Sequence, residues 1–254
     1  KPAGRQVFYD LVKVSDVVYD NFRPDVLYKL ECDYESLKKY NPRIISCSIS
    51  GYGHTGPDMD QPSFDLAVQA RSGGMSITGE PGRPPVRAGI AIGDLAGGMF
   101  AAQAIGAALY SREKTGEGQK IDVSLLDCQI SMLTYVGQYY FANGVIPGPI
   151  GSTHQSVFPY QAFKARDGYL VIAAGTEKFW QKVCRALGRE DLADNPKFVD
   201  NNARVANREE LEAIFNEEFA RQDISYWMEA ISREGIPAGP VNTVDKALSD
   251  PQVL

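Results

Sequence analysis

The segment Ala88-Gly-Ile-Ala-Ile-Gly-Asp94-Leu-Ala-Gly-Gly-Met-Phe100 sets one carboxylate where an apolar approach meets a long helical pattern, with small residues on both sides. Gly93 permits a sharp turn of the backbone there, and Gly97 and Gly98 permit a bulky group to come close. A carboxylate that a large ligand can reach, beside the free N–H groups of a helix start, can act as a nucleophile. Aspartate is equally a favoured N-cap, and on the residues alone the two readings of Asp94 have even weight. Asp127 is the rival: it follows a strand pattern and opens a helical one, nothing small surrounds it, and a capping role accounts for it.

Other chemistries find little support. The only two histidines, His54 and His154, stand far apart with no cysteine or acidic cluster beside them, so no metal site is expected. The four cysteines, Cys32, Cys47, Cys128 and Cys184, form no CxxC pair and read as reduced, packed thiols of a cytoplasmic protein. No GxSxG elbow is present for a serine hydrolase. Ser50-Gly-Tyr-Gly-His54 carries half a phosphate fingerprint, but the remaining glycine and the ribose-binding acid of a dinucleotide site are not arranged around it. A net charge of −6 argues against a nucleic-acid partner while leaving room for a local basic patch that holds one anionic cofactor. No uninterrupted apolar run reaches the roughly eighteen residues of a membrane span, and Lys1–Arg5 lack a signal-peptide core.

The elements that must position these residues follow from periodicity. A helix is predicted over 5–14, a buried strand over 16–20, short helices over 25–30 and 34–40 with Asp33 as cap, and a second strand over 43–50. Alternation of strand and helix implies parallel pairing and an α/β, Rossmann-like large domain, whose ligands sit beyond the carboxyl ends of the strands. Asn21-Phe22 and Ser50–Pro57 would occupy that edge. Helices are predicted over 64–72, over 95–112 directly after Asp94, and from Asp127 to about 143, with a strand over 120–125. The large domain is thus expected over 1–143 and a linker over 144–157. A small α+β domain over 158–238 follows, with a return segment over 239–254. The small domain starts as a hairpin, 158–163 with 169–173, turning through Ala165-Arg-Asp-Gly168. Three helices follow, over 176–187, 208–221 and 224–234, the last two capped by Asn207 and Asp223.

At this level of detail the chain resembles the class III, formyl-CoA transferase-like (CaiB/BaiF) CoA-transferases and their relatives the α-methylacyl-CoA racemases. The matching stretches are Asp16-Val-Val-Tyr-Asp-Asn-Phe-Arg-Pro24, Asn41-Pro-Arg-Ile-Ile45, Ser48-Ile-Ser-Gly-Tyr-Gly-His-Thr-Gly-Pro57, Gly93-Asp94, Thr115–Val123 and Pro159-Tyr-Gln-Ala-Phe163. The resemblance implies a large Rossmann-like and a small domain, an interlocked homodimer, coenzyme A and acyl-CoA as substrate with no permanent cofactor, and no membrane. It also implies chain beyond both ends, so the sequence is expected to be truncated there. By resemblance, Asp94 attacks an acyl-CoA thioester, giving an aspartyl anhydride and then an enzyme-bound CoA thioester. Asn21, Phe22 and Lys29 are then expected to bind CoA, Lys29 at the nucleotide phosphates. Phe64 stands where the racemases carry a proton-exchanging histidine, and phenylalanine has no titratable group. The segment Gly151–Ser156 is not glycine-rich and looks like that of transferases using succinyl-CoA with a dicarboxylate acceptor. There His154, and Arg87 before an expected strand leading to Asp94, are candidates for a substrate carboxylate. An acyl-CoA racemase and a non-catalytic CoA-binding protein remain the alternatives.

Overall fold

Runs of β-branched and apolar residues at 17–20 and 45–50 do become strands, the second buried throughout, the first only half-buried with Tyr19 exposed, because it lies at the sheet edge. The computed structural model describes all residues, Lys1–Leu254, which divide into two units, Lys1–Pro149 and Ile150–Leu254. The break falls inside the predicted 144–157 segment, which contains no helix or named strand.

In the first unit the order is α1 (Pro2–Val12), β1 (Val17–Asp20), α2 (Pro24–Leu30), α3 (Tyr34–Lys38), β2 (Ile45–Ser50), α4 (Asp65–Arg71), α5 (Ile92–Thr115), β3 (Lys120–Ser124), α6 (Leu125–Ser131) and α7 (Thr134–Asn143). The sheet order is β1-β2-β3 with both pairings parallel, Val17 opposite Ile45 and Ser46 opposite Lys120. Parallel strands need crossovers, which α2–α3 and α4–α5 supply. Every residue of the central strand β2 is buried because both its faces are covered. Cys47 and Ile49 pack with Val68, Ala96, Ala101, Val123, Leu125 and Cys128. Ser48, buried on the alternate side, donates from its hydroxyl to Asp20 Oδ2 at 2.7 Å.

Helix α5 lies along this sheet on a stripe of small residues, Ala96, Gly97, Ala101 and Ala108. A Cβ on Gly97 would stand 2.4 Å from Leu125 Cδ2, so this glycine admits a protein side chain rather than a ligand. At its far end buried Arg112 donates to Asp16 Oδ1 at 2.8 Å and to the Arg43 carbonyl at 3.2 Å, tying α5 to the entries of β1 and β2. By length and mean hydropathy α5 is apolar enough to cross a membrane, although Asp94 and Gln103 interrupt its apolar run. Here its small-residue face is spent on the sheet. The helix predicted from Asp127 to 143 is broken between α6 and α7, where Thr134 takes a φ of 46°.

In the second unit β4 (Tyr160–Ala165) and β5 (Gly168–Ala173) form the expected hairpin, and β6 (Ala238–Pro240) adds antiparallel to β5. Around them run α8 (Glu177–Leu187), α9 (Asn201–Ala206), α10 (Arg208–Phe219), α11 (Ile224–Arg233) and α12 (Val244–Leu248). Arg166 and Asp167 form the hairpin tip, and neither has a positive φ, so the turn is not the primed type that Asp-Gly implies. Helix α11 fixes it instead. Arg166 pairs with Asp223, and Asp167 Oδ1 accepts the Ile224 N–H at 2.8 Å. Asp223 and Asn207 thus sit at the predicted cap positions without making the predicted cap bonds.

The core of this unit is a nest of rings, Phe158, Phe163, Trp180, Phe215, Phe219 and Trp227. Within it Arg204, 1% exposed, donates to the carbonyls of Phe158 and Phe198 and to both carboxylate oxygens of Glu177. Its guanidinium stacks 4.8 Å from the Trp180 ring. Arg204→Ala would leave the buried carbonyls of Phe158 and Phe198 unpartnered, while Glu177 keeps the Asn201 N–H; urea titration should show a loss of about 2–5 kcal/mol, and a change below about 1 kcal/mol would contradict this account. The Arg204 hydrogen bond holds Glu177 below its ordinary value of 4.5. The stability it contributes is therefore present above that value and lost as pH falls through the depressed one. Glu177→Gln should flatten this acid arm of the melting temperature.

Candidate active site

The carboxyl ends of β1 and β2 build the floor of a cleft. Buried Asp20, at the end of β1, accepts the Phe22 N–H at 3.0 Å on the oxygen that Ser48 leaves free. That bond turns the chain outward. Asn21 then donates from Nδ2 to the Ile49 carbonyl at 2.7 Å, joining the two strand ends. Phe22 is left half-exposed, and Pro24 opens α2 behind it. After β2 the chain folds back: Gly53 N–H donates to Ser50 Oγ at 3.0 Å, and His54 N–H to Asp122 Oδ2 at 2.8 Å. A Cβ on Gly51 would stand 2.3 Å from Ser63 Cβ, so only glycine lets the 61–64 segment pass over this loop. The cleft enclosed is about 90 Å³, and Asn21, Phe22, Arg23, Gln61, Phe64 and Asp94 are among its walls.

Asp94 is not the helix cap. Helix α5 begins at Ile92 with Ala91 as N-cap, which has no side-chain acceptor, so Asp94 is the third residue of the first turn. No strand precedes it; residues 88–91 are irregular. Gly93 lies inside the helix and is needed for space, since a Cβ there would approach Gln129 Nε2 to 2.1 Å and Asp65 Oδ1 to 3.0 Å. Capping comes from α4: Asp65, 8% exposed, accepts the Gly93 N–H at 2.8 Å. Its other oxygen accepts from Gln69 Nε2 at 2.6 Å, and Gln69 Oε1 in turn accepts the Ala88 N–H at 2.9 Å.

The Asp94 carboxylate itself is exposed and makes no hydrogen bond or ion pair. The protein around it, and then the neighbouring Asp65 charge, raise it above the ordinary aspartate value of 3.8. Gly98, on the helix next to it, faces open space and keeps the approach clear. Asp127 holds the same third position of a first turn and is likewise exposed with an unbonded carboxylate, so it is not the cap expected of it; what separates it from Asp94 is its place. It is in the first turn of α6, its N–H is taken by Ser124 Oγ at 3.2 Å, and the cap is Ser124. It does not line the cleft.

Of the residues expected to bind CoA, Asn21 and Phe22 share the cleft with Asp94, and Lys29 does not. Lys29 pairs with Asp25 Oδ2 at 2.7 Å one helical turn away and borders a separate groove with Lys1 and Arg5. Arg87 is exposed in the loop before α5, outside the cleft. His154 belongs to the second unit, where its Nδ1 accepts the Ser156 N–H at 3.2 Å and its ring lies 5.2 Å from that of Tyr160. The buried thiols are poor rivals as nucleophiles: burial pushes Cys47 up to about 11 and Cys184 up to about 12. His54 has both ring nitrogens buried without a partner and a pKa lowered by burial, and it faces a different pocket, beside Ser46, Ser48 and Lys120. No three His, Cys, Asp or Glu side chains converge to ligate a metal. Met59, Gln61 and Ser63 carry no motif that would mark them in the sequence; Asp65, readable only as a base beside Phe64 whose side chain should point elsewhere, does point elsewhere, to Gly93 and to Gln69 four residues on.

A succinate–glutarate CoA-transferase of Agrobacterium fabrum is 39% identical over 252 residues, covering 99% of this chain and 63% of that protein. An acyl-CoA transferase of Fusarium pseudograminearum is 41% identical, covering 99% of this chain and 55% of that protein. The chain thus spans between half and two thirds of the length of these relatives. Among solved structures, a CaiB/BaiF family protein from Brucella suis superposes with a TM-score of 0.89 at 40% identity, covering 100% of this chain and 67% of that one. The pattern of CoA-transferase family III matches residues 1–254. The chain belongs to CoA-transferase family III.

Proposed function

We propose that the protein transfers CoA from an acyl-CoA to a carboxylic acid, with Asp94 as nucleophile and dicarboxylic acids as its substrates. The observation that carries this reading is a carboxylate left without any partner, at a helix start, in a cleft walled by Asn21 and Phe22. The Asp94 carboxylate attacks the thioester carbonyl, the C–S bond breaks, and CoA leaves as thiolate with a mixed anhydride on the enzyme. The thiolate then attacks the Asp94 carbonyl, releasing the donor acid and leaving CoA on Asp94 as a thioester. The acceptor carboxylate reverses both steps and regenerates Asp94. No step needs a proton, which suits a cleft whose only ionisable walls are Asp94 and Arg23. Phe64, 85% exposed at the cleft wall, offers no base for the α-proton exchange of a racemase. The dicarboxylate preference draws on the name of the Agrobacterium relative. A homodimer completes the reading, supported by family membership alone; light scattering at a monomer mass would refute it.

Asp94→Asn should lower turnover by about 10⁴-fold or more, as loss of a covalent nucleophile does. Retention of more than about a tenth of the activity would refute the assignment. A raised acid stabilises the fold only while protonated, up to its folded pKa, so ionised Asp94 detracts from stability at neutral pH. The same variant should therefore melt no lower than the parent at pH 7, whereas loss of a structural cap would lower the melting temperature by several degrees.

The pH profile has a defined sign. Attack requires the carboxylate form of the free enzyme, so kcat/KM should fall as pH drops through a value above the ordinary 3.8 and be flat above it. An acid limb below that ordinary value would contradict the geometry.

A further inference from the structure

Asp65 makes no hydrogen bond to the proposed nucleophile; it acts on it through the backbone and through the repulsion of its charge. It is buried on α4, next to Phe64, and its two oxygens do separate jobs. Oδ1 takes the Gly93 N–H, one residue before Asp94. Oδ2 orients the Gln69 amide, which holds the Ala88 N–H. The bend from Ala88 to Gly93 that delivers Asp94 is thus pinned at both ends by one carboxylate. Ala91 has no side-chain acceptor for the N–H groups of the first turn, and Asp65 supplies one from another helix, on the Gly93 N–H that a capping side chain would take. With Asp65 in that place, Asp94 has no backbone duty, and its carboxylate stays unbonded. The absent side chain of Gly93 makes room for this arrangement, since Asp65 Oδ1 and Gln129 Nε2 both crowd the space a Cβ would need.

We infer that Asp65 is a positioning residue for transfer: it supplies the cap that Ala91 cannot give α5 and fixes the bend that aims the Asp94 carboxylate into the cleft. The inference rests on Asp94 being the nucleophile.

The test uses the full chain and follows CoA transfer from succinyl-CoA to glutarate, with a thermal melt of each variant. Asp65→Ala should lower kcat by about 10²-fold, the effect of an ångström-scale misplacement. KM for succinyl-CoA should stay within about threefold, because no binding group is removed. Asp65→Asn alone keeps an oxygen for the Gly93 N–H but turns an NH2 toward the Gln69 NH2, and kcat should fall at least about tenfold. The double change Asp65→Asn with Gln69→Glu restores every hydrogen bond with amide and carboxylate exchanged, and should bring kcat back to within about threefold of the parent. A purely structural role would follow the melting temperature rather than this pattern.

An Asp65→Ala kcat within twofold of the parent, or a double variant no better than Asp65→Asn, would overturn the inference. Should Asp65→Ala not fold, the asparagine variant and its rescue decide the matter alone. An active Asp94→Asn would instead remove the reading beneath it, whatever the Asp65 variants do.

Discussion

The first unit depends on how one helix start is satisfied. The N–H groups at the beginning of an α-helix need acceptors, and α5 has an alanine at its cap position. The acceptor comes from another helix, as the Asp65 carboxylate on the Gly93 N–H at 2.8 Å. Two acids therefore lie at one helix terminus with opposite fates. One is buried, with a donor on each oxygen. The other is exposed, unbonded and raised in pKa by the protein and by its neighbour. An acid bonded to backbone N–H groups is stabilised as a carboxylate and weakened as a nucleophile; an acid spared those bonds keeps its lone pairs for a substrate.

The sheet determines where that acid points. Parallel strands β1 and β2 end on the same side, and their loops cannot collapse because each is tied by its own residues: Asp20 to Phe22, Asn21 to the Ile49 carbonyl, Gly53 to Ser50. Helix α5 approaches the sheet closely enough to bring Asp94 to those loops only because its inward face is alanine and glycine. The tight fit of Leu125 at Gly97 shows how little space remains. Packing, rather than any local preference of residues 88–94, places the carboxylate at the strand ends.

Much of this was legible in the sequence. The β-branched runs marked β1 and β2, and Asp33 and Pro24 marked helix starts that the structure keeps. The Asn21-Phe22 edge and Asp94 do share one cleft. What was not legible is long-range. The start of α5 was read at Asp94 because aspartate is a common cap, whereas the cap lies on a helix 28 residues earlier in the chain. Gly93 was read as a turn, though its role is steric. The phosphate role of Lys29 comes from the resemblance alone, and what the structure adds is its pairing with Asp25 four residues earlier on the same helix. In the second unit, Asp167-Gly168 gave the position of the hairpin but not its turn type, because bonds to α11 decide the tip. Strand β6, with sequence Ala-Gly-Pro, has no apolar pattern to read.

The central claim is that Asp94 becomes covalently attached during transfer. Incubating the protein with succinyl-CoA, quenching with hydroxylamine and sequencing the peptides by mass addresses it most directly. An aspartyl thioester or anhydride should be converted to a hydroxamate at Asp94, with no adduct in Asp94→Asn. Continued transfer with Asp94 unmodified under the same trapping conditions, or a hydroxamate on another carboxylate, would contradict the account.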